Sequence, residues 1–193
     1  MGGVTAVLCS SNEHKARELE RLLPGWTIEL LGVDAFPPET GATYYDNAAA
    51  KARFGREIGL ADAWMLGEDS GIEVDGLDGG PGVRSARSAA GDEVGWMLHA
   101  LGDDERRGAR YVCELVALAP DGREFRGTGT VDGRIAHEPR GTEGFGFDPV
   151  FVPGGEEKTV AELGDDWKAR HSHRANAARA LLSALAAAPP SHG

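Results

Sequence analysis

Residues 4–9 form a short apolar run, the pattern of a buried strand. Ser10, Ser11 and Asn12 end the run, and Ala16, Leu19, Leu22 and Leu23 then recur on one face of a helix. Ser10 and Glu13 have the spacing of a capping box, and Pro24-Gly25 stops the helix. Residues 26–31 read as a second strand, and residues 32–42 as a Pro/Gly loop carrying Glu39. Thr43 and Asp46 repeat the capping spacing and open an Ala-rich helix expected to end near Gly59. Residues 64–67 enter the segment GEDSG as a strand, and residues 72–77 can pair beside it. Val94, Met97, Leu98 and Leu101 are spaced as a helix face closed by Gly102. Residues 111–119 and 124–137 read as two long strands joined at Pro120-Asp121-Gly122, with a second turn or bulge at Asp132-Gly133. GTEGFGFDPVFVPGG, residues 141–155, reads as a loop. A last helix is expected from about residue 172 to 187, with Leu181, Leu182 and Leu185 inward, and the tail from 188 to 193 is expected to fray.

No internal repeat or linker interrupts this pattern, so residues 1–187 read as one α/β domain. The two long strands joined by a tight turn point to a mixed sheet rather than a purely parallel one. Hydrophobic residues at 41% supply a core, which excludes a disordered chain, and the 28 glycines keep no period, which excludes a fibre.

Charge narrows the partners. Acidic residues outnumber basic ones by 31 to 20, a net charge of −11 that opposes DNA, RNA and anionic lipid. No nucleic acid polymer and no membrane is therefore expected as a partner. A small anion stays open, because a metal ion and a few lysines can reverse the potential locally. No apolar run reaches the ~18 residues of a membrane span. The first residues show no secretory signal pattern, and Ala6 breaks the myristoylation pattern. Cys9 and Cys113 sit in apolar runs and read as reduced core residues. A cytoplasmic location is expected.

Five segments carry candidate chemistry. Glu68 and Asp69 are adjacent carboxylates, which repel unless something offsets them. Either they face water in an acidic turn, or they serve a hard cation such as Mg²⁺, which takes one or two protein carboxylates plus substrate phosphates. Ser70-Gly71 then lets backbone approach a ligand closely. SSNEHK, residues 10–15, lies where a strand meets a helix N-terminus: either a plain capped helix, or a phosphate site to which Ser10, Asn12 and Lys15 add donors. Asn47 and Lys51 share a helix face, either as surface residues or turned to the same site as Glu39. In GFGFDP, Phe145 and Phe147 either fill the core or stack on a flat ring, with Asp148 as acceptor for a ring N–H. Ser172, His173 and Arg174, with Lys168 upstream, either are solvated or grip a carbonyl oxygen or phosphate. Arg84 and Arg87 either steer anions or brace their loop.

In this order, from residue 10 to 174, the segments resemble the inosine/xanthosine triphosphate pyrophosphatase family. The family's S-x-N-x-x-K start, E-T-G-x-T-Y into D-N-A-x-x-K-A, E-D-S-G, G-x-P-G-x-x-S-A-R, G-F-G-F-D-P and S-H-R are all present. Glu68 stands where aspartate is more usual, and Ser11 where glycine is frequent. The resemblance implies an elongated mixed central β-sheet flanked by helices, two lobes around a deep cleft, and a homodimer. It also implies Mg²⁺-dependent hydrolysis of non-standard purine nucleoside triphosphates (ITP, dITP, XTP) to monophosphate and pyrophosphate. Ser10, Asn12, Lys15, Lys51 and Ser70 would hold the triphosphate. Glu39, Glu68 and Asp69 would serve the metal, and Asp69 would accept the proton of water. Phe145, Phe147, Asp148, Lys168, Ser172, His173 and Arg174 would hold the base. Two other readings stand beside it: a nucleotide hydrolase of different base preference, and a non-catalytic nucleotide-binding protein.

Overall fold

The computed structural model describes residues 4–58, 62–89 and 91–189. Six strands form one sheet: β1 (Val4–Leu8), β2 (Trp26–Leu30), β3 (Trp64–Val74), β4 (Gly108–Leu118), β5 (Glu124–Ile135) and β6 (Phe151–Pro153). Their order is β2-β1-β3-β4-β5-β6. β1 runs parallel to β2 and β3, and β6 runs antiparallel to β5, so the sheet is mixed as expected. The helices are α1 (Glu13–Leu22), α2 (Tyr44–Glu57), the short α3 (Ser85–Ser88), α4 (Glu93–Leu101), α5 (Val160–His171) and α6 (His173–Ala187). Among the described residues no helix is long and apolar enough to cross a membrane.

The chain gathers into two compact units. The first comprises Met1–Asp69, Cys113–Gly129 and Arg174–Gly193; the second comprises Ser70–Val112 and Thr130–His173. In the first unit, strand alternation sorts side chains onto two faces. Ala6, Leu8, Leu66, Cys113 and Leu115 join Ala16 and Leu19 of α1 and Ala177 and Leu181 of α6. Val7, Met65 and Val116 join Ala48, Ala49 and Ala52 of α2 on the other face. Burial on both faces is why β1 reads as a continuous apolar run. The second unit packs Ile72 and Val74 with Tyr111, Phe147, Phe151 and Val160, and with Met97 and Leu101 of α4.

The structure departs from the expected pattern in several places. β3 runs unbroken through GEDSG, where a strand end at 67 was expected, because Glu68 and Asp69 are buried with cations as partners. Hydropathy records only their charge. Asp132-Gly133 makes no turn: Gly133 sits in β5 paired to Pro153. β6 crosses the segment expected to be loop, since the FVP run pairs with a strand distant in sequence. Residues 156–171, unassigned from sequence, hold α5, opened by a capping box of Thr159 and Glu162 and broken at Gly164. The N-cap of α1 is Asn12 rather than Ser10. Gly59 and residues 190–193 of the tail lie outside the described residues.

One close approach sets the position of α2. A Cβ at Gly67 would lie 1.8 Å from the Ala48 carbonyl oxygen and 2.9 Å from the Ala52 nitrogen. The helix therefore packs directly on β3 backbone. Gly67→Ala must push α2 outward, and a loss of about 1–3 kcal/mol or more is expected from urea unfolding. An unchanged midpoint would show that α2 is free to shift.

Candidate functional site

In the first unit, the two adjacent carboxylates separate by strand geometry. Successive side chains of β3 point to opposite faces. Glu68 turns toward α1 and α6, and Asp69 toward α2. Each meets its own cations, which answers their mutual repulsion.

Glu68 is fully buried. Its Oε1 accepts from Arg174 Nη2 at 2.8 Å and Nε at 3.2 Å, and Lys15 Nζ pairs with its Oε2. Arg174 also donates to Glu18 of α1, and the Cys113 thiol lies 3.5 Å from Glu68 Oε1. Burial alone would raise the Glu68 carboxyl; Lys15 and Arg174 outweigh it and hold it well below the usual carboxylate range. Burial and the Glu68 charge push the Cys113 thiol well up, so it stays protonated. Cys9, also free and buried, is pushed up to about 11 by burial.

Asp69 is held from α2. Its Oδ2 accepts from Asn47 Nδ2 at 3.0 Å, and its Oδ1 lies 3.1 Å from Lys51 Nζ. The same ammonium donates to the Glu68 carbonyl at 3.0 Å and pairs with Glu39 from the preceding loop. The placement follows from sequence: Thr43 and Asp46 form a full capping box, which phases the helix so that Asn47 and Lys51 stack one turn apart over the strand. Burial raises the Asp69 carboxyl above its ordinary value despite Lys51 and Asn47. Burial would lower Lys51, but Asp69 and Glu39 outweigh it and keep the ammonium charged.

The phosphate candidates divide. Ser10 Oγ accepts from Asn12 N, and Asn12 Oδ1 accepts from Lys15 N at 3.1 Å, so both side chains order the start of α1. The Lys15 and Lys51 side chains are mostly buried against carboxylates, and Ser70 is half-buried next to Asp69 on β3. Among the metal candidates, Glu39 and Asp69 share Lys51, while Glu68 is turned to the other face. No group of three or more His, Cys, Asp or Glu side chains gathers among the described residues. Two carboxylates from separate segments, meeting at one positive charge, nevertheless match the donor set of Mg²⁺ that keeps its other positions for phosphate and water.

In the second unit, Asp148 is the centre of the base candidates. Its Oδ2 accepts from Lys168 Nζ at 2.8 Å and from Phe145 N at 2.9 Å, and Tyr111 OH lies 3.3 Å from Oδ1. Lys168 Nζ stands 4.6 Å from the Phe145 ring centre, and His173 stacks on Tyr111 at 4.5 Å and 8°. Asp148, Lys168, Ser172 and His173 line a cavity of about 10 Å³, roughly one water in size. Phe147 packs into the core. In the first unit, the Arg174 guanidinium donates to Glu68 and Glu18. A larger cavity of about 540 Å³, bordered by Arg107, Arg134, His137 and Arg140, includes none of the candidates from sequence. Exposed Arg87 donates to the Val83 carbonyl and so braces its own turn.

Sequence reasoning missed Glu18 and Tyr111 as partners, since single residues at long separation leave no local signal.

Known proteins match this chain over nearly its full length. The profile described as the Ham1 family covers residues 6–184. The dITP/XTP pyrophosphatase of Thermus thermophilus is 44% identical over 201 positions, spanning 97% of this chain and 95% of that one. The dITP/XTP pyrophosphatase of Gloeobacter violaceus is 42% identical over 92% of each chain. A HAM1 protein from Coxiella burnetii superposes with a TM-score of 0.81 at 33% identity, covering 96% of this chain and all of that one. A nucleoside-triphosphatase, dITP/XTP pyrophosphatase, from Mycobacterium abscessus gives 0.71 at 38%, covering 94% of this chain and 100% of that one. Shared motifs, end-to-end identity above 40% and a common fold make this chain a member of the Ham1 family.

Proposed function

We propose that this chain hydrolyses dITP, ITP and XTP to the monophosphate and pyrophosphate, removing non-standard purines from the nucleotide pool. The observation that supports it most is Asp69, buried and gripped through both oxygens by Asn47 and Lys51, with Glu39 on the same ammonium. Full-length relatives named as dITP/XTP pyrophosphatases point the same way.

In this reading Lys15, Lys51 and the N-terminal amides of α1, ordered by Ser10 and Asn12, meet the triphosphate, and Ser70 adds a donor. Their positive charge matters because phosphoryl chemistry is won mostly by positioning and charge stabilisation. Glu39 and Asp69 hold Mg²⁺, which when bound neutralises the polyphosphate and the charge that develops on it. Asp69 takes the proton of the water that attacks the α-phosphorus; the bond to the bridging oxygen breaks and pyrophosphate departs.

Asp148, Lys168, Phe145, Ser172 and His173 serve the base. Hypoxanthine and xanthine offer a 6-oxo acceptor where adenine offers a 6-amino donor. A donor facing position 6, such as His173, is matched by the first and opposed by the second, a difference that can reach about 10⁴ in specificity. The two-lobed arrangement around a cleft and a homodimer belong to the same reading and rest on the family, while one domain over residues 1–187 and a cytoplasmic location rest on the sequence pattern.

The test is a panel of dITP, ITP, XTP, GTP and ATP with and without Mg²⁺, scored separately for phosphate and pyrophosphate. Cleavage of the 6-oxo substrates at least ~10²-fold faster than ATP, with pyrophosphate released, is expected. Phosphate as product would assign a phosphatase instead, and tight ITP binding without turnover a binding protein.

A further inference from the structure

We propose that Asn47 is the positioning residue of this site: its single carboxamide ties the loop that carries Glu39 to the carboxylate of Asp69. Asn47 is 2% exposed, near the start of α2. Its Oδ1 accepts from Gly41 N at 2.8 Å, and its Nδ2 donates to Asp69 Oδ2 at 3.0 Å. The amide orientation is fixed by chemistry, since only the oxygen can accept from an N–H and only the nitrogen can donate to a carboxylate. Gly41 has no space for a side chain: a Cβ there would lie 2.5 Å from Asn47 Oδ1 and 2.7 Å from Asp46 Cβ. The loop is thus drawn against the amide two residues after Glu39. One turn along α2, Lys51 engages both Glu39 and Asp69 Oδ1. Lys51 thus joins the two carboxylates directly through charge, and Asn47 joins Asp69 to the loop that carries Glu39 through a neutral amide. The neutral tie fixes which way the Asp69 carboxylate faces.

A buried asparagine can also be a plain loop anchor, and the two roles separate by substitution. The Asn47→Asp variant keeps the size and the acceptor for Gly41 but replaces the amide donor to Asp69 with a second carboxylate, which repels it or shares its proton. Its kcat should fall about 100-fold with KM within about threefold, the effect of a misplaced reacting group. Protection of the Gly41 amide from hydrogen exchange should persist. A kcat within about threefold of wild type would overturn the proposal. Asn47→Ala removes both bonds and should lose the Gly41 protection as well; protection unchanged in that variant would overturn it too. Should Asn47→Asp not fold, Gly41→Ala carries the test by lifting the loop from the amide. A tenfold or greater loss of kcat is expected there, and wild-type kcat would sink the proposal. The kinetic readouts rest on the proposed hydrolysis. A wild type that cleaves none of the triphosphates defeats that reading, while the Gly41 exchange comparison still decides the tie.

Discussion

Asp69→Asn should lower kcat by about 10³-fold or more while leaving the protein folded and no less stable than wild type at pH 7 in metal-free buffer. Asparagine cannot accept the proton of attacking water, and loss of a positioned base costs about 10²–10⁴-fold. It also loses one of two carboxylates available to Mg²⁺. The stability half follows from the direction of the shift. The Asp69 carboxyl is raised in the folded chain above the ordinary value of 3.8, so the fold favours its protonated form. That advantage is present at low pH and is lost as pH rises through the raised value. At neutral pH the ionised group is a cost, which the neutral amide removes. The variant should therefore gain on wild type as pH climbs from about 4 toward neutrality. Single-turnover kinetics and urea midpoints across that range measure both halves. Near wild-type turnover would reassign the base. A variant clearly less stable at pH 7 would show that the Lys51 pairing outweighs burial.

Glu68→Gln should do the opposite, destabilising the fold by about 3–5 kcal/mol whatever the substrate. Glutamine keeps the shape but removes the negative charge that Lys15 and the fully buried Arg174 both pair with. The sign is again set by direction. Glu68 is depressed far below its ordinary 4.5, so its contribution is complete above that value and fades as pH falls through the folded one. The gap between wild type and variant should thus narrow below about pH 4.5. Urea titrations at pH 7 and in acid check it. A gap that persists undiminished in acid would assign the loss to packing rather than charge.

These opposite expectations for neighbouring residues mark what the sequence could and could not convey. The pairing of Thr43 with Asp46 and the four-residue step from Asn47 to Lys51 are local, so α2 and its charged face were legible directly. β4 and β5 were legible because a turn signal sits between two long strand patterns, the first largely apolar and the second alternating. The division of Glu68 from Asp69 was not. It depends on β3 continuing through both, and that depends on cations supplied by α1, α2 and α6. Arg174 reads locally as a helix-start cation and proves to be the partner of a residue 106 positions away. Tyr111 was plain strand to any local window, and its stacking on His173 emerges only when β4 meets the start of α6. The α5 helix escaped notice because its apolar positions are sparse and Gly164 interrupts its period.

The pairing of Glu68 with Arg174 has a consequence for biosynthesis. A ribosome emits α1 and β3 long before α6, so Glu68 of the nascent chain has Lys15 but not yet Arg174 as its cation. Leu66 and Leu115 likewise wait for Ala177 and Leu181 to cover them. The first unit can close only after α6 has emerged, and a polypeptide cut short before it would be left with a half-countered acid and an oily face for quality control to recognise.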